Sequence, residues 1–327
     1  MKALVYTAPE ALEFREVPEP EGTSGTQLVR IDSVGICGSD MHAYLGHDER
    51  RPAPLILGHE GSGLIADGPR KGERVTINPL VTCGTCPACL SGRDNLCETR
   101  QIISMPPREG AFAQFVTMPE RNLVTVPEGI SLEKAALAEP IAVSWHAVRL
   151  GLDALADNRS ESALVIGGGA IGVAAAISLI AQGVEKVTLV EPNGIRRAYL
   201  GLTASYDIAA PEDVEAMQFD IVIDGVGYDA TRASASSAVR PGGVILHIGL
   251  GGGSGGLDIR RITLQEISFI GTYTYTAQDF RDTANAMFDG RLGPLDWVET
   301  RPLSEGARAF ADIRSGKVAA PKLILKP

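Results

Sequence analysis

The stretch from 163 to 181, ALVIGGGAIGVAAAISLIA, contains no charged residue, and its reading decides the fold. As a membrane helix it is short for a bilayer crossing and carries three consecutive glycines near its start. As strand, tight turn and helix it accounts for each residue: ALVIG (163–167) is apolar and β-branched, and a helix opens after the glycines. Gly167, Gly169 and Gly172 then form G-x-G-x-x-G. That spacing allows a tight turn, lets a pyrophosphate approach the backbone, and lets helix pack closely on strand, with the phosphate at the helix N-terminus. A tight turn without ligand is the bland alternative.

The next apolar run, KVTLVE (186–191), ends on Glu191, where an acidic side chain would accept the adenosine ribose hydroxyls. A carboxylate there repels a 2′-phosphate, so NAD is favoured over NADP. Arg196 and Arg197 follow closely and weigh the other way. They also read as a solvated helix face, with Arg196 the better placed for a cofactor contact. Further strands are expected at 206–209, 219–224, 243–249 and 267–271, between helices at 170–182, 194–203, 212–216 and 229–239. Apolar strands alternating with helices mean a parallel sheet covered on both faces, and six of them suit a doubly wound, Rossmann-type α/β domain.

On either side the pattern changes. Before Glu139 the chain reads as short strands (KALVYT, QLVRIDSVGI, SGLIA, ERVTI, AFAQFVTM, LVTVP) broken by Gly, Pro and Asn, followed by a helical SWHAVRLGLDAL. After Thr276 come a helix at 277–289, a connecting segment, a helix at 304–315 and a last strand, KLILK. GGGSGG (251–256) reads as a loop inside a domain, because a strand soon resumes. The length of 327 residues fits two domains.

The formal charge of −10 and a pI near 5.1 argue against nucleic acid or an anionic membrane as partner, since both reward positive charge. The start of the chain has too short an apolar run for a signal peptide, so a cytoplasmic location is expected.

The five cysteines are an odd number, which disfavours a secreted disulfide framework. Cys83, Cys86, Cys89 and Cys97 follow the spacing C-x2-C-x2-C-x7-C. Four thiolates on one loop can close a tetrahedron around structural zinc; an iron–sulfur cluster is the rival, but it favours a shorter last spacing. The fifth, Cys37, lies in VGICGSDMHAYLGH, ahead of GHEGSG with adjacent His59 and Glu60. Thiolate, imidazole and carboxylate are zinc ligands that leave a position open for chemistry. Composition alone does not join Cys37 to His59: a lone cysteine is commonly a small buried hydrophobe.

GICGSDMH, GHEGSG, GERV, the four-cysteine loop, AEPIAVSWHA, VIGGGAIG and KLILK together resemble the zinc-dependent medium-chain alcohol/polyol dehydrogenases, in the sorbitol, butanediol and threonine dehydrogenase branch. The resemblance implies a GroES-like β-rich catalytic domain at 1–141 and 276–327, a Rossmann NAD-binding domain at 142–275, and an active site in the cleft between them. It implies two zinc ions per chain, the catalytic one on Cys37, His59, Glu60 and Glu139. Glu60 and Glu139 would ligate directly or through water; Glu139 also reads as a helix N-terminal acid. Ser39 and His42 match the family's proton relay. Cofactor contacts are expected at Gly167, Gly169, Ile171, Gly172, Glu191, Arg196, Gly249 and Thr274.

The expected reaction moves hydride from a secondary alcohol (polyol, diol or sugar acid) to NAD, giving a ketone. Amino-alcohol oxidation, a non-catalytic zinc and nucleotide sensor, and a zinc-free quinone-reductase relative are the alternatives. Sorbitol dehydrogenases carry a Tyr where this chain has Ala43, and an Arg where it has Thr274, so sorbitol itself is in doubt. Arg50 and Arg51, in the loop before GHE, could line the substrate cleft and suit a phosphorylated or carboxylated substrate, but the favoured reading is a solvated loop; His47, His146 and His247 are read as structural. By resemblance, a homodimer or homotetramer forms through ISFIG (267–271).

Overall fold

A computed structural model of the chain describes residues 1–155 and 160–327. The described chain divides into two compact units, one of Met1–Glu139, Thr276–Asp289 and Val298–Pro327, the other of Pro140–Tyr275 and Gly290–Trp297. The boundaries expected from the sequence differ at the 290–297 excursion, where the chain returns to the second unit. Leu292, Leu295 and Trp297 are buried there, and Arg291 lies over the Trp145 ring.

The second unit is built on a six-stranded sheet in which every pairing is parallel. Its spatial order is Asp207–Ala209, Lys186–Val190, Ser162–Ile166, Phe219–Asp224, Val239–His247, Ser268–Gly271. Counted along the chain this is 3-2-1-4-5-6, with the order reversing beside Ser162–Ile166, where α/β sheets bind their ligands. Leu164, Ile166, Val190, Val222 and Ile245 form one core with Ala235, Ala238, Val239 and Ile267. The four inner strands read as apolar runs because both faces are covered there. The helix expected at 212–216 is a single 3-10 turn, Pro211–Asp213, and the helix Ile259–Leu264 has no counterpart in the sequence expectations.

The glycine turn has a backbone geometry suited to the three roles its spacing implies. Gly167 has φ +102°. Gly169 is the N-cap of the helix Ala170–Ala181, and a side chain there would meet open space, the room a phosphate needs. At Gly172 a Cβ would stand 1.7 Å from the Gly167 carbonyl oxygen. Gly172→Ala is therefore expected to cost about 1–3 kcal/mol of stability by forcing helix from strand. Thermal unfolding checks this, and an unchanged Tm would contradict it.

The first unit carries a seven-stranded sheet among the described residues. Leu123–Thr125, Arg74–Ile77, Glu60–Ile65, Thr26–Gly35, Lys322–Lys326 and Val298–Pro302 follow one another, and Phe115–Pro119 also pairs with Thr26–Gly35. Two pairings position the site. Gly35 lies opposite Glu60 and also opposite Ile324, so the end of Thr26–Gly35 meets both the GHE strand and the C-terminal strand. The helix Gly38–Tyr44 starts immediately after, with Cys37 as its N-cap. In GHEGSG, Gly63 faces the neighbouring strand so closely that a Cβ would sit 2.0 Å from the Arg30 carbonyl oxygen.

Candidate active site and metal centres

The first unit brings Cys37, His59 and Glu60 together: one ligand atom from each lies within 4.8 Å of the others. Cys37 is half-buried at the helix N-terminus, while His59 and Glu60 are buried. Glu139 is also buried, in the first turn of the helix Ala138–Ala154, and stands outside that triplet. Its charge acts on Lys322, which ties it electrostatically to the same region.

Two side chains that sequence reasoning missed organise the triplet. Lys322 is 4% exposed; its Nζ donates to Glu60 Oε1 at 2.6 Å, Glu60 Oε2 at 2.7 Å and the Ile36 carbonyl at 2.9 Å. Burial opposes its charge, but the Glu60 carboxylate holds the ammonium pKa above its ordinary value. Asp40 is the second. Its Oδ2 accepts from the Cys37 amide at 3.0 Å and its Oδ1 from the Gly58 amide at 3.1 Å, and Oδ1 lies 3.4 Å from His59 Nδ1. Burial pushes the Asp40 carboxyl up, but His59, Arg51 and the Cys37 amide together keep it below the usual carboxylate range. With Nδ1 facing Asp40, His59 has Nε2 left for a metal, the carboxylate–histidine arrangement of metal sites. The one sequence signal for Asp40 is its place three residues into a helix, where it closes a capping box on Cys37.

Ser39 is half-buried and His42 exposed, three residues apart and so neighbours on one side of the helix. Arg50 is a surface residue paired with Asp48. Arg51 is not, which corrects the solvated-loop expectation. It is 3% exposed, and its guanidinium donates to the Ser39 carbonyl, the Ser104 carbonyl and Asp48 Oδ2, each at 3.0 Å. Arg51→Ala would take the donor from the buried Ser104 carbonyl and from the Ser39 carbonyl, while Asp48 keeps Arg50, and is expected to cost about 1–3 kcal/mol, read from denaturant unfolding.

The second centre is the loop 83–97. The four cysteines carry no disulfide, and their Sγ atoms lie within 4.8 Å of one another, with Cys83–Cys89 at 3.8 Å and Cys86–Cys89 at 3.5 Å. Backbone amides point at sulfur: Thr85 and Cys86 donate to Cys83 Sγ at 3.4 and 3.3 Å, and the Cys83 amide to Cys97 Sγ at 3.4 Å. Such donors favour thiolate, and the Thr85 amide is the largest influence drawing the Cys83 thiol down to about 5. The donor set fits zinc.

In the second unit Glu191 is buried and accepts from the Gly168 and Asn193 amides, both at 2.8 Å. The carboxylate is thus fixed beside the glycine turn. Two residues expected to face the cofactor each hold a buried polar atom with no hydrogen-bond partner among the described residues: Arg196 Nε and Thr274 Oγ1. Thr274 is held at φ +45°. Unsatisfied buried donors at these positions fit a polar ligand that completes them. Arg196 Nη1 lies 3.9 Å from Glu191 Oε2, and Arg197 Nη1 donates to the Glu191 and Pro192 carbonyls at 2.7 Å. Gly249 packs on the backbone of Val226, and the Ile171 carbonyl accepts from Ser144 Oγ at 2.9 Å. Asp224, missed in sequence, accepts from the Val226 and Gly227 amides at 2.9 Å and so shapes the loop after the fourth strand.

Comparisons with known proteins agree on the class. Residues 23–128 match the alcohol dehydrogenase GroES-like domain, and residues 170–289 match the zinc-binding dehydrogenase family. The L-galactonate-5-dehydrogenase of Escherichia coli is 32% identical over 310 residues, covering 89% of this chain and 88% of that protein. The sorbitol dehydrogenase of Bacillus subtilis is 32% identical over 296 residues, covering 84% and 82%. Alcohol dehydrogenase TADH from Thermus sp. ATN1 superposes with a TM-score of 0.89 at 25% identity, over 100% of this chain and 99% of that one.

This chain belongs to the zinc-binding medium-chain dehydrogenase family. It is an oxidoreductase of small-molecule alcohols, a Rossmann α/β unit joined to a GroES-like one, and its cofactors are zinc and a nicotinamide dinucleotide. No helix of the described residues is long and apolar enough to cross a membrane.

Proposed function

We propose that this protein oxidises a secondary alcohol of the polyol, diol or sugar-acid class to a ketone, with NAD as hydride acceptor. The carrying observation is the convergence of Cys37, His59 and Glu60, with Glu60 clamped by Lys322. Cys37 and His59 bind catalytic zinc, and Glu60 and Glu139 supply the carboxylate side of the site. Zinc held there supplies a Lewis acid that lowers the pKa of an alcohol hydroxyl. Ser39, half-buried on the helix that Cys37 caps, takes the hydroxyl proton, and exposed His42 passes it on to solvent. Asp40 faces His59 Nδ1, so Nε2 is the nitrogen that would ligate zinc. Cys83, Cys86, Cys89 and Cys97 hold a second, structural zinc.

On the cofactor side, the Gly169 N-cap would receive the pyrophosphate, Glu191 would accept the adenosine ribose hydroxyls, and Arg196 and Thr274 would find partners in the dinucleotide. The fixed negative charge of Glu191 sets the preference for NAD over NADP. The relatives named for L-galactonate and sorbitol support the substrate class, while Ala43 and Thr274 separate this chain from the sorbitol pattern. The edge strand Ser268–Gly271 is largely exposed, Phe269 included, and we propose that it pairs with a second copy in a homodimer or a tetramer of dimers.

An NAD-linked screen of polyols, diols, sugar acids and L-threonine, read as absorbance of the reduced cofactor, tests the reading. Turnover of a polyol or sugar acid is expected. Tight NAD binding without turnover across the panel would overturn it in favour of a sensor.

A further inference from the structure

We propose that Ser104 is a positioning residue for the imidazole of His59, delivered against the ring by Arg51; this rests on reading His59 as a zinc ligand. Ser104 Oγ lies 3.4 Å from His59 Nδ1, the same distance as Asp40 Oδ1. Two oxygens thus face one ring nitrogen. Asp40 is shared, its Oδ2 with the Cys37 amide and its Oδ1 with the Gly58 amide. The Ser104 hydroxyl adds a second polar contact at the same nitrogen, which steadies the ring and with it Nε2.

The backbone of Ser104 shows what the hydroxyl is for. Its φ is +73° and its side chain is fully buried, a conformation in which glycine is at ease and an L side chain is not. Glycine would fit this turn without strain; serine differs from it by Cβ and the hydroxyl that meets His59. Arg51 secures the arrangement. Its Nε donates to the Ser104 carbonyl at 3.0 Å, Nη2 lies 3.5 Å from Ser104 Oγ, and Nη1 donates to the Ser39 carbonyl. One buried guanidinium therefore spans the backbone of the proposed relay residue and the residue that steers the proposed ligand. Sequence gives no hint of this, since Ser104 lies 45 positions from His59 and 53 from Arg51.

The test is the rate of metal loss to a strong chelator from the full-length zinc-loaded protein, followed with a colorimetric zinc indicator. The phase belonging to Cys37 and His59 is the one that a Cys37→Ser chain lacks. Ser104→Gly and Ser104→Ala are each expected to speed that phase 10- to 100-fold, the usual range for a lost outer hydrogen bond to a ligand. The phase of the four-cysteine loop should not move. Ser104→Gly should at the same time keep or raise Tm, because it releases the backbone, so faster loss cannot be ascribed to unfolding. The cobalt-substituted Ser104→Gly protein should show a shifted ligand-field band. Wild-type retention and an unshifted cobalt spectrum in both variants would overturn the role of Ser104 alone. If the wild-type protein shows no phase that Cys37→Ser lacks, the zinc reading of Cys37 and His59 fails and this proposal with it.

Discussion

Cys37→Ala is expected to remove one of two zinc ions and lower kcat/KM for alcohol oxidation by on the order of 10³-fold or more, the loss of several kcal/mol of transition-state stabilisation. Cys37 caps the helix that carries Ser39 and His42, and its amide is held by Asp40, so an alanine keeps the backbone contact while deleting the thiolate. The fold should therefore survive. Metal analysis should fall from two zinc per chain to one, and NAD binding, which belongs to the second unit, should persist. Full activity with one zinc would refute the catalytic role of the site. Loss of both ions together with a collapsed Tm would show that the site is structural instead.

The second large effect is expected at Lys322. Lys322→Met keeps the apolar stem and removes the ammonium, leaving Glu60 buried with two unpartnered oxygens. Breaking such a pair from one side typically costs about 3–5 kcal/mol. Denaturant unfolding should show this in the midpoint with little change in m. Adding Glu60→Gln to Lys322→Met removes the stranded charge and should recover most of the loss, a coupling that distant sites do not show. A single-variant cost under about 1 kcal/mol would mean that zinc, and not lysine, is the partner of Glu60 in the folded protein.

What was legible in the sequence follows from how local each signal is. The four inner parallel strands announce themselves as apolar runs because both sheet faces are covered there, and the glycine turn is specified within six residues. The short helix Gly38–Tyr44, GSDMHAY, has no apolar period to reveal it, and the strand Val298–Pro302, VETRP, is half polar because only one side is covered. In the same way Cys37, His59 and Glu60 stand out through the residues beside them, whereas Asp40, Arg51, Ser104 and Lys322 acquire their meaning from partners. Lys322 reads as the polar start of the last strand; it is buried because a carboxylate 262 positions earlier neutralises it. The burial of Arg51 is hidden for the same reason, since two of its acceptors are carbonyl groups, which every sequence contains and none displays.

The pairing of Ile324 and Leu325 with Gly35 and Val34 also bears on how the protein is made. As the chain leaves the ribosome, the strand Thr26–Gly35 and its GHE neighbour emerge long before Lys322–Lys326, with the whole nucleotide-binding unit synthesised in between. Throughout that interval the first sheet has an uncovered edge and Glu60 has no counter-charge, the kind of exposed strand that invites association with other nascent chains. The nucleotide-binding sheet needs no such late arrival, because its six strands lie within one continuous stretch of the sequence. Translation thus imposes an order: the cofactor-binding half can mature first, and the metal-binding half closes last.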